Sequence, residues 1–100
     1  MDPKSISEKV ADGDAYLIDV RTQSEYDAGH AKGAILWDVM EHMSVQTPLP
    51  TIDKGKEVYV YCRSGGRSEQ AKMIFEQSGI QNVTNIGGLI DWTSAGGETE

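Results

Sequence analysis

EVYVYCRSGGRSEQAKMIFEQSG, residues 57 to 79, reads as a strand, a tight glycine turn and a helix in immediate succession. The first six residues are β-branched or aromatic apart from Glu57 and Cys62, which suits a buried strand. From Ser68 onward the spacing changes: Ala71, Ile74, Phe75 and Ser78 fall along one helical face. Ser68 is the expected N-cap, Glu69 lies near the positive helix end, and Gly79 is the expected stop.

The same order recurs along the chain. YLIDV (16–20), AIL (34–36) and NVTNI (82–86) are strand-like runs, with helical patterns before and between them. Ser7 could cap EKVADG, and Thr22 or Ser24 could cap EYDA ahead of Gly29. Trp37, Val39, Met40 and Met43 recur at helical spacing, either as core or as the rim of a cleft, with His42 on their solvated side. TPLPTIDKGK (47–56) holds two prolines and a Lys-Gly turn and reads as a surface loop. Repeated strand, turn and helix predict an α/β fold, a parallel sheet with helices on both faces. No repeat or linker divides the 100 residues, so 1–100 reads as one domain with a loose tail over about 93–100. Trp92, behind Gly87 and Gly88, is expected to cover the sheet near that end.

Nine basic against sixteen acidic residues give a net charge of −7, with no basic run to follow a phosphate backbone. Nucleic acid and anionic membrane are therefore poor partners, and any anionic ligand needs a local positive site. No apolar run is long enough to span a bilayer, and MDPKSISEKV lacks the apolar stretch of a signal peptide. The expected location is cytoplasmic, or periplasmic if a leader has been removed. One cysteine forms no internal disulfide, and His30 and His42 lack metal-ligand spacing, so no metal or organic cofactor is expected.

Cys62 stands where the buried strand ends, at the sheet edge where α/β folds bind ligands. RSGGR behind it can turn backbone N–H groups inward, Gly65 and Gly66 accepting positive φ, and the following helix adds its own free donors. Such a cradle, helped by Arg63 and Arg67, lowers a thiol's pKa, and the thiolate is the nucleophile. The plainer alternative is that Cys62 is a small buried apolar residue. Asp19, Arg21 and Glu25 could be imagined as an acid–base set, but a strand-end Asp and Arg two apart suit a scaffold better. His30 could be imagined as a base for Cys62; a turn-fixing role is the better reading, since no triad partner accompanies it.

SIS near the start, LIDVRTQSEYDAGHAKGA (17–34), VYCRSGGRS (60–68) and NIGGLIDW (85–92), in that order and at those distances, resemble the rhodanese-type sulfurtransferases through nearly the whole chain. The resemblance implies a single-domain, five-stranded, mostly parallel sheet with helices on both faces, its first short strand near Ile6. It implies that Cys62 takes the outer sulfur of thiosulfate, releases sulfite, and holds a persulfide within a loop of Arg63, Ser64, Gly65, Gly66, Arg67 and Ser68. An acceptor such as cyanide, a small thiol, thioredoxin or another protein thiol then removes the sulfur. Ala31, Lys32, Leu36 and Trp37 depart from the family pattern, away from the cysteine loop. Two other functions fit the same fold. Dual-specificity phosphatases place a cysteine and an arginine in one loop, but with one more residue between them than RSGG provides. Non-catalytic rhodanese-like modules serve docking or signalling and commonly lack the cysteine.

Overall fold

The computed structural model describes residues 1–100, in which helices and strands alternate from end to end. The order is α1 (Pro3–Ala11), β1 (Ala15–Asp19), α2 (Gln23–Asp27), β2 (Ile35–Leu36), α3 (Val39–Val45), β3 (Glu57–Cys62), α4 (Gly66–Gln77), β4 (Val83–Gly88) and α5 (Leu89–Ser94). The strands form one parallel sheet in the order β2-β1-β3-β4. No helix is long and apolar enough to cross a membrane.

Strand alternation divides the interior into two cores. Ile18, Val20, Val58, Val60 and Cys62 pack on one face against Ala71 and Phe75 of α4, Trp37 and Val39. Leu17 and Tyr61 point the other way, into a cluster with Ile6 of α1, Ala31, Ala34, Ile86 and Trp92 of α5. Because helices cover both faces, the central strands β1 and β3 read as nearly continuous apolar runs.

Four strands are present where five were expected, because the segment around Ile6 is helical. Asp2 caps α1 by accepting from the Ser5 N–H, and Pro3 occupies the first turn, where a missing N–H costs nothing. Ile6 and Val10, four apart, then face the second core, and Ser7 lies inside the helix rather than capping it. Thr22 caps α2 in a reciprocal capping box with Glu25. In the segment after β2, Trp37 and Val39 are core, whereas Met40 and Met43 are 50% and 53% exposed. His42 is not simply solvated: its Nδ1 lies 2.6 Å from the Thr47 carbonyl and its ring tilts against Trp37.

The final residues, expected to be loose, lie docked. The backbone N–H groups of His30 and Lys32 donate to the carbonyls of Glu100 and Glu98, and the Glu100 N–H donates back to His30. Trp92 is fully buried, as its position suggested, and its indole N–H donates to the Glu98 carbonyl at 2.7 Å. A buried indole needs an acceptor for that N–H, and this return of the chain supplies it.

Candidate active site

Cys62 is the last residue of β3 and is 1% exposed. The chain leaves the strand, curls over the sulfur and enters α4 within four residues. Gly65 makes the curl possible with φ = +101°, a conformation a side chain resists, and so its N–H donates to Cys62 Sγ at 2.9 Å. This glycine, rather than Ser68, occupies the N-cap position, three residues earlier than the sequence suggests, and the helix starts at Gly66. Gly66 itself has an ordinary backbone, and a side chain there would meet open space. The expectation of positive φ at both glycines therefore holds for Gly65 alone.

Ser68, now one turn into α4, is fully buried with its hydroxyl 3.4 Å from Sγ. Burial pushes the Cys62 thiol's pKa up, but hydrogen bonds from the Ser68 hydroxyl and from the N–H groups of Ser68, Ser64 and Gly65 outweigh it. The thiol is left more acidic than an ordinary cysteine. The chief stabilisers are uncharged donors, and the Arg67 guanidinium adds a charge attraction to the thiolate.

The loop is held from beneath by β4. An extra residue in β4 sets Val60 opposite Asn85 but Cys62 opposite Gly88. Gly88 consequently lies so close to the loop that a Cβ there would overlap the Arg63 carbonyl. Its N–H is held by Asp91 at 2.7 Å. Asn85 donates to the Gly65 carbonyl at 3.1 Å and lies 2.7 Å from the Ser68 hydroxyl. Nothing in the sequence singles out Asn85, which follows another polar residue, Thr84, in β4.

Arg67 and Arg63 have different surroundings. Arg67 makes a two-pronged ion pair with Glu25 of α2, at 2.7 and 3.1 Å. The guanidinium holds the Glu25 carboxyl down to about 2, with help from Thr22. Arg63 is exposed and has no carboxylate within ion-pair distance. It borders an open cleft of about 630 Å³ together with Arg21, Glu25, Gly29, Leu89 and Ile90. Ser64 is exposed at the crest of the loop.

Asp19 and Arg21 form a buried pair at 2.6 Å, and Tyr61 donates to the same carboxylate at 2.7 Å. Arg21 also donates to the Gly29 carbonyl, and the Ala31 N–H donates to the Tyr61 hydroxyl. These contacts tie the ends of β1 and β3 to the segment after α2, which is scaffolding. Glu25 belongs instead with the loop, through Arg67. His30 stacks on Tyr26 at 3.7 Å between ring centres and holds the Tyr26 carbonyl through Nδ1. No hydrogen bond links it to Cys62.

A family model described as the rhodanese-like domain matches residues 2–95. A sulfurtransferase of Allochromatium vinosum is 36% identical over 98 residues, covering 96% of this chain and 89% of that protein. The thiosulfate sulfurtransferase PspE of Escherichia coli is 42% identical over 79 residues, covering 76% and 72% respectively. Among solved structures, the Alr3790 protein of Anabaena superposes over all of this chain and 79% of its own, with a TM-score of 0.79 and 27% identity.

Proposed function

The chain belongs to the rhodanese-like domain family, and on that premise we propose that it is a sulfurtransferase carrying sulfur on Cys62, with thiosulfate as a donor. The observation that carries the reading is the Gly65 N–H held 2.9 Å from Sγ beside the Ser68 hydroxyl. A sulfur anion is stabilised there by fixed donors in a water-poor place, without a histidine base.

In the first half of the cycle the Cys62 thiolate attacks the outer sulfur of thiosulfate. The bond between the two thiosulfate sulfurs breaks, and sulfite leaves with its electron pair. Arg63, free of any carboxylate, meets the incoming dianion at the loop, while Arg67 and Glu25 keep the loop's shape. In the second half an acceptor thiolate or cyanide attacks the outer sulfur of the persulfide, and the Sγ–S bond returns its pair to Cys62. The same donors that favour the resting thiolate make it a good leaving group. Both steps exchange sulfur bonds by displacement and call for no metal or organic cofactor.

Intact-mass measurement after incubation with thiosulfate tests this directly. One added sulfur atom is expected, removable by cyanide or dithiothreitol and absent from Cys62→Ser. An unmodified protein that still releases thiocyanate would exclude the covalent route. Faster hydrolysis of an aryl phosphate than turnover of thiosulfate would put a phosphatase in its place.

A further inference from the structure

The Ser68 hydroxyl has one proton and four acceptors around it: Asn85 Oδ1 at 2.7 Å, the Gly65 carbonyl at 3.0 Å, and Cys62 Sγ and the Gly87 carbonyl at 3.4 Å. It can donate to only one of these well at a time. The carboxamide of Asn85 is itself pinned in one orientation. Gly87 N–H can only donate and meets Oδ1 at 2.9 Å, whereas the Gly65 carbonyl and Glu69 carboxylate can only accept and meet Nδ2 at 3.1 and 3.2 Å. Oδ1 therefore stands as a permanent rival to the sulfur for the Ser68 proton.

We propose that Asn85 is a positioning residue that sets the reactivity of Cys62 by competing with its sulfur for the hydroxyl proton of Ser68. When Sγ carries a charge, the hydroxyl turns toward it and Asn85 Oδ1 keeps only the Gly87 N–H. When Sγ is neutral, as a thiol, an alkylated sulfur or the inner sulfur of a persulfide, the hydroxyl returns to Asn85. The part this plays in turnover rests on the persulfide reading. A weaker rival makes a more stable thiolate, which leaves faster in discharge and attacks more slowly in loading. The cationic groups near the sulfur, Arg67 on α4 and Arg63 in the loop, are untouched by a change at position 85 and do not distinguish the two hydroxyl states.

The test is the pH profile of Cys62 alkylation by iodoacetamide in wild type, Asn85→Ala, Ser68→Ala and the double variant. With Ser68 present, Asn85→Ala is expected to lower the midpoint by about half a pH unit, the size of one neutral hydrogen bond's net worth. In the Ser68→Ala background that downward shift disappears. An upward shift with Ser68 present, or the same shift in both backgrounds, overturns the proposal, because loosening of the loop alone gives those results. If Asn85→Ala does not fold, the wild-type protein decides the matter by NMR. The Asn85 side-chain carbonyl carbon should move when the thiolate is alkylated, and an unmoved resonance overturns the proposal. Thiosulfate loading is read separately by mass. Coupling without loading would sink the sulfurtransferase reading and leave this one standing.

Discussion

Arg63 and Arg67 sit four positions apart in one loop, yet only Arg67 is anchored, and their variants should fail differently. Arg63→Ala is expected to raise KM for thiosulfate several-fold with kcat nearly kept, since it removes ground-state attraction. Arg67→Ala should lower kcat about tenfold or more, because the loop loses its brace. Glu25→Ala should repeat the Arg67→Ala result although it removes an anion rather than a cation; normal kcat in Glu25→Ala would show that Arg67 acts alone. The same pair gives a pH signature. Glu25 titrates at about 2 in the fold, below the ordinary 4.5, so its stabilisation is whole above pH 4.5 and is lost as pH falls from there toward 2. On the order of 1–2 kcal/mol should disappear over that window in acid unfolding of the wild type, and Glu25→Gln should not show the loss. At this scale the sequence was legible where chemistry is rare, as with a lone cysteine before glycines. It was not legible at Asn85, whose partners are brought together only by the irregular pairing of β4.

Helix α1 and strand β4 show where local pattern and tertiary setting part. The family resemblance implied a short strand near Ile6, but Asp2, Pro3 and the four-residue spacing of Ile6 and Val10 are a stronger helical instruction once read together. The expected strand NVTNI extends to Gly88 because β3 continues to offer it a partner, and the extra residue within it announces itself by no composition. Ser68 looked like a cap, since serine usually is one; the positive φ of Gly65 begins the helix sooner and turns Ser68 inward to the sulfur. That arrangement depends on contact between two elements, and Gly88→Ala is the sharpest way to break it. The added methyl must push the Arg63 carbonyl, and with it the loop, off its seat. A loss of about 2 kcal/mol or more in urea unfolding is expected, together with an alkylation profile moved toward that of free cysteine. Wild-type values for both would mean that the loop tolerates the displacement.

Across the whole molecule, the parallel sheet with helices on both faces was legible from the recurrence of strand, turn and helix. The docking of the last residues was not. Their Gly-Gly and acidic composition describes a chain that need not order, and only the unsatisfied indole of Trp92 and the open backbone of residues 30–32 give them a place. The protein's charge of −7 works against any anion, so in the proposed cycle recognition of thiosulfate falls to the few residues of one loop. Within that loop Gly66 stands apart, with an unstrained backbone and free space where its side chain would be. Gly66→Ala should therefore stabilise the fold by about 0.5–1 kcal/mol, visible as a Tm raised by a few degrees. No gain, or a loss, would mean that the position is not open. Gly66 is thus a place at the lip of the cysteine cradle where a β-carbon can be added without disturbing the architecture behind it. Variation in this loop can therefore begin at its outer edge and leave the nucleophile's environment intact.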